Sequence, residues 1–311
     1  MSKFTEFTFP SSNGKTAIRV RKFEPETAPR GIVQIAHGVA EHCERYDAFM
    51  EFLAANGFVA AANDHLGHGK SISGESDLGF FTEKDGWDHV VRDMHKLHEL
   101  LTEEYPELPC FLFGHSMGSF LARTYIIRYP DELTGAIICG TGQQSPALVG
   151  AGKAMAGMIC GLRGVKHKSD MLNKTAFGKY NEGFETVRTP CDWLSRDKAN
   201  VDKYIADPLC GFVPTAGLFR DMMGGISFIG KPENIEKMRK DLPVFFIAGD
   251  KDPVGENGKG VQKAYDLFKE AGMKDVTLKL YPDCRHELLN ELNKDEVMAD
   301  ILGWLNEKMP E

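Results

Sequence analysis

Five short, almost unbroken apolar runs punctuate this chain, and they leave few folds open to it. They lie at Arg30 to Val39, Phe58 to His65, Cys110 to Ser116, Gly135 to Thr141 and Leu242 to Asp250. A strand with one wet face alternates apolar and polar residues, whereas a strand covered on both faces is apolar throughout. These runs therefore need helices on both sides, and the stretches between them have helical spacing. Tyr46 to Asn56 is stopped by Gly57, Gly86 to Tyr105 by Pro106, and Met117 to Tyr129 by Pro130. Gly260 to Ala271 and Asp295 to Lys308 are also helical, with a further strand at Val276 to Tyr281. The expectation is an α/β fold, a mostly parallel sheet with helices on both faces.

Residues 142–240 break the rhythm. They contain glycines, prolines and helical fragments but no buried strand. They read as an insertion, so 1–141 and 241–311 form the core and 142–240 a helical cap. Sites in open α/β sheets sit at the carboxyl ends of the strands. An insertion leaving from such an end lies over the site.

The chain has 311 residues, enough to bury a large core without disulfides or a structural metal. Its 45 acidic and 37 basic residues give a net charge of -8, with no basic run, which argues against a nucleic-acid partner. The seven cysteines are odd in number and contain no Cys-x-x-Cys pair, as in a reduced compartment. MSKFTEFTF has no apolar signal region. The expectation is a cytoplasmic protein, and nothing in the sequence bears on its oligomeric state. Ala147 to Leu162 is the most membrane-like stretch, but spanning a bilayer takes about 20 residues, and it carries Lys153.

Gly114-His115-Ser116-Met117-Gly118 is the most specific motif. Gly-x-Ser-x-Gly alone is common, but here a strand runs into it and a helix out of it, the setting of a nucleophile elbow. Such a turn lifts Ser116 clear of the sheet and points the Met117 N–H at an oxyanion. The bland alternative is a serine N-cap. A serine needs a base, and in the chain order serine, acid, histidine two candidates follow Ser116. His167 lies among lysines in the insertion, whereas His286 follows the last strand, so His286 is the expected base and later acid. The orienting carboxylate should follow VFFIAG. Asp252, deeper in the loop, is preferred over Asp250, which suits a turn cap, and over Asp283, which is too near His286 in sequence. A second oxyanion donor is needed, each being worth about 3 kcal/mol. The Val39 N–H, beside Gly38, suits that role.

His37 to Tyr46 contains HGVAEHCERY, Asn63 to Ser71 is NDHLGHGKS, and GHSMGS, GDKDPVG and RHELLNE follow in order. In these motifs the chain resembles the monoacylglycerol lipase and lysophospholipase branch of the α/β-hydrolase superfamily, of serine aminopeptidase S33 type. The resemblance spans both halves of the chain. It implies a serine hydrolase of small esters or monoacyl lipids that uses no cofactor. It maps a triad onto Ser116, Asp252 and His286, and oxyanion donors onto Val39 and Met117. It also implies a structural pair of Glu41 and Arg45, and an acyl-binding cap. The family loop reads His-Gly-x-Gly-Glu-His, so Ala40 departs from it.

Other readings are weaker. Asp64, His65 and His68 could bind metal, but Gly67 and Gly69 make this a turn-rich loop, and no metal is expected. Ser12 to Thr16 ends like a phosphate loop, yet Phe9 replaces its first glycine, so a hairpin turn is expected. Rival functions are a general carboxylesterase, an aminopeptidase of the same fold and a non-catalytic binding protein. Within the insertion, Met155, Ile159, Trp193, Phe212, Phe219 and Met222 are candidate substrate contacts. Ala147 to Leu162 suits a mobile cap helix touching an acyl chain or, transiently, a lipid surface.

Overall fold

The computed structural model describes residues 2–310. Its single sheet has eight strands, two more than the six the sequence indicates. The first two, β1 (Lys3–Pro10) and β2 (Ala17–Glu24), form an antiparallel hairpin about the turn expected at Ser12 to Thr16, which is closed by a 2.8 Å bond from Ser11 N–H to the Thr16 carbonyl. β1 is largely exposed, and β2 interleaves Arg19, Arg21 and Lys22 with its apolar residues. Arg19 and Lys22 are buried yet paired, Arg19 with Glu6, Glu44 and Asp64, and Lys22 with Glu104. Paired buried cations hide a strand from a search for apolar runs.

The other strands are β3 (Gly31–Ala36), β4 (Phe58–Asn63), β5 (Cys110–His115), β6 (Gly135–Cys139), β7 (Val244–Gly249) and β8 (Val276–Tyr281). They run parallel in the order β4-β3-β5-β6-β7-β8, and β2 joins antiparallel to β4. β3 to β7 are buried throughout, as their apolar runs require. The helices are α1 (Asp47–Ala55), α2 (Gly86–Glu104), α3 (Met117–Arg128), α4 (Pro146–Arg163), α5 (Asp170–Phe177), α6 (Lys198–Ala206), α7 (Ala216–Ile229), α8 (Pro232–Ile235), α9 (Lys259–Glu270) and α10 (Lys294–Glu307).

Strand side chains alternate between two cores, because successive residues point to opposite faces. Val33, Phe113 and Ile247 pack with Phe49 and Met50 of α1 and Ile301 of α10. Ile32, Leu112 and Phe246 pack with Val90 of α2, Leu121 of α3 and Phe268 of α9. Helices α4 to α8 all fall between β6 and β7. Helix α7 packs on α2, α3 and α4. Its Gly225 admits the Trp87 indole, which any Cβ there would meet at 2.1 Å. The fully buried Arg123 of α3 pins the chain as it leaves β6, donating to the Gly142 carbonyl at 3.0 Å and Gln143 Oε1 at 2.6 Å.

Below the carboxyl ends of β3 and β4, three buried histidines cluster. His37 and His65 have ring centroids 4.1 Å apart, and His37 and His68 5.4 Å. His37 Nδ1 faces the Gly38 carbonyl and must donate, so its Nε2 is the acceptor for the His65 N–H at 2.9 Å. Burial, reinforced by the neighbouring imidazoles, holds His65 well below the usual histidine range and His68 at about 3. Burial also lowers His37. Protons therefore bind the unfolded chain first. The stability these groups contribute is complete above the ordinary histidine value near 6.5, and for His68 it is lost progressively down to about 3. Each group contributes a slope of up to about 1.4 kcal/mol per pH unit. Urea unfolding measured between pH 7 and pH 4 should show stability falling with pH, and His68→Phe should reduce that slope. An unchanged slope in the variant would disprove the assignment.

Candidate active site

Ser116 sits between β5 and α3 with φ +55° and ψ -121°, a backbone conformation seldom adopted outside glycine. The elbow closes because Gly118 lies against β3, where a Cβ would come within 2.0 Å of the Ala36 carbonyl oxygen. Although Ser116 is the N-cap residue of α3, its side chain makes no capping hydrogen bond. The hydroxyl is thus not committed to the helix, and the residue is half-buried.

His286 lies in the loop after β8, and Asp252 in the loop after β7. Both are buried, and His286 Nδ1 is 2.9 Å from Asp252 Oδ2. The other Asp252 oxygen accepts the Val254 N–H at 2.9 Å. An ionised carboxylate only accepts, so Nδ1 carries the proton and Nε2 keeps its lone pair. Asp250 is engaged elsewhere, accepting the Asp283 N–H at 2.7 Å, with Asp283 at φ +61°. Of the three carboxylates, Asp252 is the one brought to His286. His167 lies in the turn after α4 and is not among the residues lining the cavity that contains Ser116 and His286.

The loop after β3 faces Ser116. Its Gly38 N–H donates to Glu41 Oε1 at 2.5 Å. Among the described residues the N–H groups of Val39 and Met117 have no such partner. Gly38 is required by space, since a Cβ would meet Glu41 Oε1 at 2.6 Å and Ser116 Cβ at 3.1 Å. Ala40, where a glycine was expected, holds a left-handed φ of +56°. Its carbonyl is fixed by the insertion, accepting from the Tyr204 hydroxyl and the Gly211 N–H at 2.9 Å each.

Glu41 and Arg45 pair at 2.6 Å, and Arg45 forks onto Glu287 at 2.7 and 2.6 Å. His115 completes this network, with Nδ1 3.3 Å from Glu41 and 3.1 Å from the Tyr46 hydroxyl, and Nε2 3.2 Å from the His286 carbonyl. A carbonyl cannot donate, so Nε2 carries a proton. The Tyr46 hydroxyl lies within hydrogen-bond reach of both Glu41 Oε1 and His115 Nδ1. Burial opposes a positive charge on His115, but Glu41 outweighs burial and raises its pKa. Burial likewise opposes the Glu41 charge, and Arg45 and then His115 hold that carboxyl well below its usual range. Sequence reading found the Glu41–Arg45 pair but missed Glu287 and His115. Their one sequence signal is adjacency to His286 and Ser116.

A cavity of about 610 Å³ joins these groups. Val39, Ser116, Met117 and His286 line it, with Met155, Trp193, Phe212, Phe219 and Met222 from the insertion. Ile159 does not. It lies one turn beyond Met155 on α4, past the end of the cavity, and packs against the core instead. Helical spacing puts both on one face of α4 but does not say where the cavity ends.

Asp64 is occupied by the N–H groups of Cys43 and Lys70 and by Arg19, which accounts for the Asp64–His65–His68 loop structurally. A different group could hold an ion. His42, Asp207 and Cys210 offer donor atoms within 4.8 Å of one another, and His42 Nε2 lies 2.9 Å from Asp207. They join the loop after β3 to the insertion.

An elbow serine, a buried histidine–carboxylate pair and two open N–H groups at the carboxyl edge of a parallel sheet define an α/β hydrolase. The family described as serine aminopeptidase, S33, matches residues 27–293, and the chain belongs to that family. It is 30% identical to the monoacylglycerol lipase of Mycolicibacterium smegmatis, over 90% of each chain. It is 29% identical to the monoglyceride lipase of Mus musculus, over 93% of this chain and 86% of that one. A solved structure of a thermostable carboxyl esterase from Bacillus coagulans in complex with glycerol superposes with a TM-score of 0.92 at 33% identity, covering 100% of both chains. The protein is a carboxylic ester hydrolase. Among the described residues no helix is long and apolar enough to cross a membrane.

Proposed function

We infer that the protein hydrolyses monoacylglycerols or closely similar monoacyl esters through an acyl-enzyme on Ser116. The observation that carries this reading is the Asp252–His286 hydrogen bond, set in one apolar cavity with the elbow serine. Ser116 Oγ attacks the ester carbonyl while its proton passes to His286 Nε2. Asp252 stabilises the imidazolium, and the N–H groups of Val39 and Met117 hold the oxyanion. Collapse breaks the bond to the alcohol, which leaves with the proton from His286. Water then attacks the acyl-enzyme, giving a proton to His286, and collapse breaks the bond to Ser116 Oγ, which takes that proton back as the carboxylic acid is released.

The ester of glycerol is favoured by the relatives named as monoacylglycerol lipases and by the glycerol bound to the similar Bacillus coagulans esterase. The same machinery could cleave an amide, as the family description implies. The apolar wall of Met155, Phe212, Phe219 and Met222 suits an acyl chain better than a peptide. Residues 142–240 act as the cap. Its α4 exposes Leu148, Met158 and Leu162, with Met171 of α5 nearby in sequence, and we assign these residues a transient contact with lipid surfaces.

Ser116→Ala and His286→Ala should each lower ester turnover by roughly 10⁴-fold. Asp252→Asn should cost far more than Asp250→Asn. A fluorophosphonate should label the wild type but not Ser116→Ala. Turnover near normal in purified Ser116→Ala would sink the mechanism.

Each buried methylene of an acyl tail is worth about 0.8 kcal/mol, so kcat/KM should rise with chain length until the cavity fills. Met155→Glu should weaken long-chain esters and spare acetates, whereas Ile159→Glu, outside the cavity, should not discriminate between them. Equal losses on short and long esters in Met155→Glu would remove the tail-binding role.

For the lipid contact, the Met158→Asp/Leu162→Asp double variant should bind less to sedimenting phosphatidylcholine vesicles while keeping its turnover of a soluble ester. Unchanged vesicle binding would exclude this surface.

A further inference from the structure

The insertion does more than wall the cavity, because it grips the loop that carries His286. Residues 192–196 run beside 285–291. The His286 N–H donates to the Trp193 carbonyl at 3.4 Å, and the Glu287 N–H to the Leu194 carbonyl at 2.7 Å. Ser195 Oγ donates to the Asn290 carbonyl at 2.7 Å, and Arg285 Nη1 to the Asp192 carbonyl. Arg196 pairs with Glu291 at 2.9 Å. At the centre of this clamp the Trp193 indole faces the His286 ring, with centroids 5.1 Å apart and planes at 39°. Tyr180 packs on Trp193 at 4.8 Å, which holds the indole in place.

On the Ser116–His286 reading, His286 becomes an imidazolium in both halves of the reaction. A cation within about 6 Å of an aromatic centroid is attracted by the ring quadrupole, and indole is the strongest such partner. We propose that Trp193 is a positioning residue for the catalytic base. Its carbonyl fixes the His286 backbone and its indole face stabilises the imidazolium, so that the insertion takes part in the chemistry. This inference rests on the proposed role of His286.

Several charged or titratable groups also face His286. Asp252 bonds its Nδ1, and the His115 ring from β5 lies 4.7 Å away. Cys139 and Tyr180 lie close enough to Asp252 to feel its charge, and Glu41, Arg45 and Glu287 form the network behind His115. Asp252 favours the imidazolium, and a positive charge on His115 would oppose it. None of these groups is changed by substituting Trp193.

The sign of the effect follows. Stabilising the imidazolium moves the acid limb of the pH–rate profile up. Its removal therefore moves that limb down and weakens the base, lowering the plateau. The test measures kcat and kcat/KM against pH for p-nitrophenyl acetate, an ester with no tail to bind, in Trp193→Tyr, Trp193→Phe and Trp193→Leu. In Trp193→Leu the acid-limb midpoint should fall by about half a pH unit. Its plateau kcat should fall by at most about threefold, the equivalent of that half unit, with KM little changed. Tyr and Phe should lie between, in that order, and this grading keeps the test valid if the leucine variant folds poorly. Midpoints that coincide with wild type in the folded variants would overturn the proposal, even with lower plateaus, and so would midpoints that rise, because loss of burial alone moves a histidine midpoint up. Ser116→Ala and His286→Ala are run in parallel. Turnover in those two would refute the triad itself, whereas their inactivity with unmoved midpoints would refute only the role of Trp193.

Discussion

The buried hydrogen bond between Asp252 and His286 is the interaction on which the rest of the site depends. An isolated carboxylate buried this deeply would lose several kcal/mol of hydration. Asp252 offsets the loss with one oxygen on the Val254 N–H and the other on His286. The bond fixes the tautomer, with the proton on Nδ1 facing Asp252. It also sets the geometry of two loops. The Asp252 loop is knotted by Asp250 to Asp283, so the residues flanking the pair are held by the same two loops that present it.

A second buried network lies beside this pair and touches it through the His286 carbonyl. Glu41, Arg45 and Glu287 alternate in sign, so each desolvated charge has an opposite neighbour, and His115 joins them through Glu41. This arrangement occupies the Gly38 N–H through Glu41 and leaves the next N–H, that of Val39, open. It also reaches the His286 carbonyl through His115. The loop after β3 and the histidine loop are thus parts of one electrostatic assembly. A substitution at Glu41 or His115 would disturb both loops together.

The insertion joins this assembly at two places. Tyr204 and Gly211 hold the Ala40 carbonyl, and residues 192–196 hold the histidine loop. The left-handed Ala40 costs of order 1 kcal/mol, and these two hydrogen bonds hold it in place. An insertion fastened both to the loop after β3 and to the histidine loop ties the positions of those two loops to its own. Helix α4, by contrast, keeps an exposed apolar face.

The sequence by itself determined the covered parallel strands, the elbow at Ser116 and the loops that bear His286 and Asp252. Each of these is encoded locally, by an unbroken apolar run, by glycines flanking a serine, or by a carboxylate just beyond a strand. Even the hairpin turn at Ser12 to Thr16 was legible, though its strands were not, because buried Arg19 and Lys22 acquire their partners only on folding. The sequence preferred Asp252 to Asp250 by its place in the loop, and tertiary structure brings Asp252 to His286 and Asp250 to the Asp283 N–H, because both stand beyond the same strand and only the path of the chain separates them. Tertiary structure added Glu287 and His115, excluded Ile159 from the cavity, and laid Trp193 against His286. These facts depend on where separate segments meet, and local spacing carries no information about such meetings.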